Sequence, residues 1–219
     1  VAKRAVLGQF AKMRHLGHRR VVAVASALPG EGKTFSSFHL ALSLALEREM
    51  NVLLIDGDVA RPTLSRALGL HGAFGLLNCL DGANSALDEA LYRTDIDRLW
   101  FMPAGQSIHT ASELLSSPRM PVLLDAVSGR IGHAVIVIDT PPLIPTVESR
   151  ALTDVAAQVL VVVKANSTPE GAVVQACEQL GEAKPVQLML NQRRESKLDA
   201  YQYYYHAYPS PDAAHANAD

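Results

Sequence analysis

The sequence runs to 219 residues, 48% hydrophobic and 19% charged with a formal net charge of −2, which suffices to bury one sizeable α/β core. That balance leaves no basic excess for a nucleic-acid backbone or an anionic lipid surface, so both are excluded as primary partners. The apolar runs are far shorter than the roughly 20 residues a membrane-spanning helix requires.

In chain order, residues 1–18 mix apolar Val6, Leu7, Phe10 and Met13 with basic Lys3, Arg4, Lys12 and Arg14, which reads as a helical segment packed on the domain. The chain opens with Val1 rather than Met and is expected to be a piece of a longer protein. Short continuous apolar runs follow at Val21–Ala27, Val52–Ile55, Val135–Ile138 and Val159–Val163, the pattern of strands buried on both faces of a parallel sheet, and Val186–Leu190 reads as a further strand. Helical segments fall between them at Thr34–Glu49, Ser112–Val127 and Pro169–Leu180. Trp100 reads as core, and Cys79 and Cys177, far apart and without metal-ligand spacing, as buried thiols in a reducing cytoplasm. Asp154 and Glu148 read as helix surface, and the histidines form no metal-binding cluster. From Gln192 the composition turns polar, then to Tyr, His, Pro, Ala, Asn and Asp, so residues 193–219 read as a flexible tail. The expected fold is a P-loop α/β domain over residues 19–192: a doubly wound, mostly parallel sheet flanked by helices, with ligands at the carboxyl ends of its strands.

Strand, loop and helix occur in the order that a phosphate cradle needs around Ala27-Leu28-Pro29-Gly30-Glu31-Gly32-Lys33-Thr34-Phe35. Gly30 and Gly32 let backbone N–H groups turn toward phosphate oxygens, and the helix start adds positive partial charge. Lys33 is placed to reach the β- and γ-phosphates of ATP, and the Thr34 hydroxyl to meet Mg²⁺. Ala27 stands where the usual first Gly belongs. Val52–Ile55 runs into Asp56-Gly57-Asp58, and Val135–Ile138 into Asp139-Thr140-Pro141-Pro142, so three carboxylates sit at strand ends near the loop. Carboxylates there call for a cation, with Asp139 as the Walker-B acid and Thr34, Asp56 and Asp139 as the metal set. A strand-terminal Asp is otherwise an N-cap of the next helix. Arg61 and Lys164 are candidate charge stabilisers or ordinary solvated residues; Asn191 either reads the adenine base or simply starts a loop. Tyr201, Tyr203, Tyr204, Tyr205 and Tyr208 hold five of the six tyrosines, without aliphatic periodicity and followed by Pro209 and Pro211. Such a cluster is a phosphate acceptor or a docking peptide rather than core.

The Ala27-x4-Gly32-Lys33-Thr34 loop, the Asp56-x-Asp58 motif and Ile138-Asp139-Thr140-Pro141-Pro142 together resemble the bacterial tyrosine kinases of capsule and exopolysaccharide export. Pro103-Ala104-Gly105, Ser112 to Met120 and Leu188-Met189-Leu190-Asn191 resemble that family too. The wording Ala60-Arg61-Pro62 and Thr110-Ala111-Ser112-Glu113 is most similar to the exosortase-associated type. The resemblance implies an ATP- and Mg²⁺-dependent autokinase with Lys33, Asp56, Asp58 and Asp139 as its catalytic groups. It implies that the tail tyrosines accept the γ-phosphate in trans, within a homo-oligomer. It also implies a membrane-embedded polysaccharide chain-length (co-polymerase) protein as activator, peripheral attachment to the inner membrane through it, and a cognate tyrosine phosphatase. Two features depart from the family: Ala60 stands where its second motif usually has Arg, and its N-terminal Glu-x2-Arg-x2-Arg motif is not intact. The competing readings are a regulatory ATPase of the partitioning or division-site type and a pseudokinase with a docking tail. The first usually carries Lys-Gly-Gly where this chain has Leu28-Pro29-Gly30, and lacks a terminal tyrosine cluster.

Overall fold

The computed structural model describes residues 2–12, 20–47, 50–82, 87–132 and 134–193. Val- and Ile-rich segments prefer extended backbone and pack well on both sides of a pleat, and here they form one seven-stranded sheet. Its strands are β1 (Val21–Ser26), β2 (Val52–Asp56), β3 (Tyr92–Arg93), β4 (Leu99–Met102), β5 (Val135–Asp139), β6 (Gln158–Lys164) and β7 (Val186–Asn191), in the order β3-β4-β2-β5-β1-β6-β7. All pairs are parallel except β3 with β4.

Alternation along the strands splits the interior in two. Val22, Val24, Leu54, Val137 and Leu160 face a core closed by α1 (Ala2–Lys12), α2 (Lys33–Ala45) and α3 (Thr63–Ala67). Ala23, Ala25, Leu53, Ile138 and Val161 face the other core, under α4 (Leu76–Leu80), α5 (Leu87–Ala90), α6 (Ala111–Leu115), α7 (Arg119–Arg130), α8 (Glu148–Asp154) and α9 (Glu170–Leu180). Helices on both faces make the sheet doubly wound. The N-terminal helix packs as expected: Val6 is fully buried, and the Gln158 side chain donates to the Val6 carbonyl at 3.1 Å.

The sequence reading does not delimit β3, β4 or the short helices α3, α4, α5 and α8, and four further details differ from it. The segment Ser112–Val127, expected as one helix, is two helices, α6 and α7. Pro118 disfavours helical backbone in the residue before it, and the Ser117 hydroxyl donates to Leu114 O at 2.7 Å while accepting from Arg119 N at 3.3 Å. Helix α2 stops at Ala45 rather than running to Glu49. Trp100 is half-buried on β4, with the Arg93 guanidinium 4.6 Å from its ring centroid. Cys79 is buried, which pushes its thiol up to about 11, but Cys177 is only half-buried on α9.

Gly57 follows the last β2–β5 pair, Asp56 with Asp139. Its N–H donates to Asp139 O at 2.8 Å. A Cβ there would lie 2.8 Å from both Asp139 O and Leu152 Cδ1, and 2.9 Å from Ile138 Cγ2. Space rather than backbone conformation therefore demands glycine. Gly57→Ala is expected to cost about 1–3 kcal/mol, as overpacked interiors do; a urea-unfolding midpoint equal to that of the parent would contradict this.

Candidate functional site

Strands β2, β5 and β1 are consecutive in the sheet, so Asp56, Asp139 and the phosphate loop emerge side by side at one edge. The register pairs Asp56 with Asp139, and Asp139 with Val24. Gly30 and Gly32 adopt φ of 81° and 93°, where a side chain is strained. Gly32 caps α2, whose first-turn N–H groups have no partner inside the helix. Lys33 Nζ lies 3.0 Å from Asp58 Oδ2 and 3.4 Å from the Thr34 hydroxyl. Asp58 Oδ1 accepts from Arg61 N at 3.1 Å.

The two strand-end carboxylates are built alike. Both are fully buried. Asp139 Oδ1 accepts from the Ser37 hydroxyl of α2 at 2.9 Å, and Oδ2 has no partner. Asp56 Oδ2 accepts from Ser65 N at 2.8 Å and the Ser65 hydroxyl at 2.7 Å, and Oδ1 has no partner. Loss of water raises both acids. Asp139 is pushed up to about 6, its burial only partly offset by the Lys33 charge and the Thr34 and Ser37 hydroxyls. Asp56 is raised by burial first, against the Ser65 bonds, with the Asp58 charge adding to the rise.

Not every loop residue offers its side chain to a ligand. Glu31 is 2% exposed and turned inward: Oε2 accepts from Leu28 N at 2.7 Å, and Oε1 from the Thr168 hydroxyl of the β6–α9 turn. An anion in the middle of an anion-binding loop has to face away from phosphate, and here it caps the loop's own backbone. Asn191, at the end of β7, donates its side-chain N–H to Glu31 O at 2.9 Å, and a Cβ on Gly32 would lie 2.2 Å from that nitrogen. Asn191 thus braces the loop from the sheet side. The Phe35 ring is 63% exposed and stacked on His39, with centroids 3.9 Å apart, so its backbone N–H is what it can offer phosphate. Pro29 sits exposed at the loop crest. Arg61 is exposed and meets Asp58 through its backbone, while Lys164 is half-buried with its N–H donating to the Thr168 hydroxyl at 3.1 Å. Glu148 accepts from the Ser112 hydroxyl at 2.5 Å, and Asp154 pairs with Lys184 at 3.6 Å. Tyr201, Tyr203, Tyr204, Tyr205 and Tyr208 lie outside the described residues. Sequence reasoning missed Ser37 and Ser65; a small polar residue on a helix's buried face is the signal that marks each.

These donors fit a magnesium–nucleotide pair. Each buried carboxylate has one open oxygen on adjacent strand ends, Lys33 lies 3.0 Å from the nearby Asp58, and the loop presents backbone N–H groups. Among the described residues no group of three or more His, Cys, Asp or Glu is arranged to hold a metal by itself. Two carboxylates completed by phosphate oxygens are what Mg²⁺ ordinarily takes.

Residues 19–191 match the family model described as AAA domain. The tyrosine-protein kinase YwqD of Bacillus subtilis is 30% identical over 84% of this chain and 76% of its own length. The succinoglycan biosynthesis transport protein ExoP of Rhizobium meliloti is 31% identical over 83% of this chain, which spans only 23% of it. Among solved structures, the kinase domain of VpsO superposes with a TM-score of 0.72 at 31% identity, covering 88% of this chain and 97% of that one. A plasmid partition protein from Borrelia burgdorferi, at 20% identity and a TM-score of 0.59, shares the fold.

Proposed function

That this chain belongs to the AAA domain family, and within it to the bacterial tyrosine-protein kinases, is the premise from which we propose that it moves the γ-phosphoryl group of ATP onto tyrosine, its own C-terminal cluster included. The observation that carries the reading is the convergence at one sheet edge: a loop lysine 3.0 Å from Asp58, beside two buried carboxylates that each keep one oxygen open.

Phosphoryl transfer needs positioning and charge neutralisation more than covalent help from the protein. Mg²⁺, when bound with ATP, neutralises charge on the phosphates. Thr34, Asp56 and Asp139 would hold it, and each of the two acids has a buried oxygen free to do so. Loop N–H groups from Gly30 to Phe35 hold the phosphate oxygens, and Lys33 leaves Asp58 to meet the β- and γ-phosphates. Glu31, Thr168 and Asn191 keep the loop in shape. A tyrosine oxygen then bonds to the γ-phosphorus as the bond to the β–γ bridging oxygen breaks and ADP departs. The phenolic proton goes to Asp58, which at 6% is the only one of the three acids with any exposure.

The wider setting follows the relatives. A role in capsule or exopolysaccharide production fits the succinoglycan biosynthesis transport role of ExoP. Among the described residues no helix is long and apolar enough to cross a membrane. A membrane co-polymerase is accordingly proposed as both activator and inner-membrane anchor, with ring-like self-association and a phosphatase to reset the tail. The partition-type reading rests on fold likeness alone, since those neighbours are less than 25% identical.

Tail phosphorylation is expected to pass between subunits. The nine residues from Gln192 to Ala200 span at most about 30 Å and start beside the phosphate loop at Asn191, so reach alone leaves a chain's own site accessible, and it is the resemblance to ring-forming kinases that favours transfer in trans. Each phosphate adds about −1.5 to −2 charge, so filling the cluster is expected to loosen docking. The test mixes a Lys33→Met chain bearing the intact tail with an active chain lacking residues 201–208, labelled ATP and Mg²⁺. Label mapped to the inactive chain's tyrosines supports transfer in trans. No label, under conditions where the parent labels itself, refutes it.

A further inference from the structure

Ser65 lies on α3, nine residues beyond Asp56, and is 1% exposed. Its N–H and hydroxyl both meet Asp56 Oδ2, at 2.8 and 2.7 Å, while its oxygen accepts from Ala104 N at 3.0 Å. Chemistry settles the direction of every bond in this chain. An amide N–H only donates, so the contact with Ala104 uses a lone pair of the hydroxyl oxygen, and the one hydroxyl hydrogen is committed to the carboxylate. Two donors on one oxygen fix the rotation of the Asp56 side chain. They leave Oδ1, buried and without a partner, as the open oxygen.

The other end of the relay is equally fixed. Ala104 belongs to the turn after β4, whose Pro103 and Ala104 carbonyls accept from Leu76 N at 2.9 Å and Leu77 N at 3.0 Å at the start of α4. Asn78 Oδ1 accepts from Gly75 N and Gln106 N, both at 3.1 Å. On the neighbouring strand the Ser37 hydroxyl lies 2.9 Å from Asp139 Oδ1 and 2.8 Å from Lys33 O, sharing its one hydrogen between the two acceptors, and Asp139 Oδ2 is again left open. Two adjacent buried acids, each pinned on one oxygen by a helix serine, form a pair of open oxygens held in place before any ligand arrives.

We propose that Ser65 is a positioning residue for the phosphoryl-transfer site: it holds Asp56 through one oxygen so that the other stays turned toward a nucleotide-bound Mg²⁺, and it ties that orientation to the turn at residues 103–106. The proposal rests on the reading of Asp56 as a magnesium-side acid. A hydroxyl that orients a metal-side carboxylate typically carries about 10- to 100-fold in metal affinity or activity.

The test titrates the full chain with a fluorescent ADP analogue, once in EDTA and once in excess Mg²⁺, for the parent, Ser65→Ala, Asp56→Asn and the double variant. Ser65→Ala is expected to leave the EDTA affinity within about twofold and to weaken the Mg²⁺-dependent tightening about 10-fold. In kinetics kcat should fall while the KM for ATP moves less. Because Ser65 acts through Asp56, adding Ser65→Ala to Asp56→Asn should change the tightening no further. Full Mg²⁺-dependent tightening in Ser65→Ala overturns the proposal, as does an additive double variant. Equal loss of affinity with and without Mg²⁺, accompanied by a lower Tm, overturns it in favour of a purely architectural serine. A parent chain that shows no Mg²⁺-dependent tightening, or an Asp56→Asn chain that keeps it whole, overturns the magnesium reading of Asp56 and this proposal with it.

Discussion

Lys33→Met is expected to lower tyrosine phosphorylation about a thousandfold, the scale lost when one preorganised charge is removed from a phosphoryl- or acyl-transfer site. Methionine keeps most of the length and volume of the lysine stem, so the start of α2 retains its packing, while the cation 3.0 Å from Asp58 is gone. The same change has a structural cost. The Lys33 and Asp58 side chains are only 11% and 8% exposed, and removing one member of a buried pair leaves the other charge uncompensated. Asp58 retains its bond from Arg61 N at 3.1 Å, which limits that cost. The variant is therefore expected to unfold at lower urea than the parent, and Lys33→Met combined with Asp58→Asn to recover stability without recovering activity. Phosphate incorporation assayed on a tail-bearing acceptor checks the first statement, and urea midpoints check the second. Parent-level phosphorylation in Lys33→Met would remove the loop lysine from the reaction.

Asp139→Asn is expected to separate stability from activity in the opposite direction. An acid whose folded-state pKa is about 6 against an ordinary 3.8 holds its proton more tightly in the folded chain than in the unfolded one. The stability that goes with it is present in full below pH 3.8 and is lost as pH rises through about 6. The loss amounts to about 3 kcal/mol for a shift of this size. Asparagine cannot ionise, so the nucleotide-free variant should show a flatter dependence of unfolding free energy on pH between about 4 and 7, with the raised Asp56 supplying the remaining slope. At pH 8 it should be at least as stable as the parent. The gain is trimmed because the amide nitrogen brings donors into a place where Oδ2 had no partner, at about 1–3 kcal/mol for a buried unsatisfied group. Phosphorylation should fall by about 100-fold or more, because the open anionic oxygen is gone. A variant with the parent's full pH slope would mean that Asp139 is ionised throughout that range and that its burial does not govern its proton.

Much of this site was legible in the residues themselves because it is written in short, contiguous stretches. Strand, glycine-bearing loop, Lys33 and Thr34 follow one another within one β–loop–α unit, and their geometry depends on the backbone of that unit alone. The runs ending in Asp56 and Asp139 are equally local. A continuous apolar strand can end only where it leaves the core, so an acid there marks a sheet edge. Helix limits were less legible. The break at Ser116–Pro118 depends on one hydroxyl serving two helix ends, a contact that periodicity over residues 112–127 does not carry.

Sequence alone, then, determined five of the seven strands, the loop and the three acids at the sheet's edge, since each is set by neighbours a few positions away. Tertiary structure decided how those groups are held and which of their atoms are free. Strand order put β5 between β2 and β1, so that Asp56 and Asp139 became register partners although the chain separates them widely. It brought Ser37 to Asp139 across 102 residues, Thr168 to Glu31 across 137 and Asn191 to Glu31 across 160. Those contacts made the Glu31 side chain a brace of the loop and left Asp139 with one occupied and one open oxygen. No local pattern encodes them, because a hydrogen bond between distant residues exists only after the hydrophobic layers have fixed the elements that carry its donor and its acceptor.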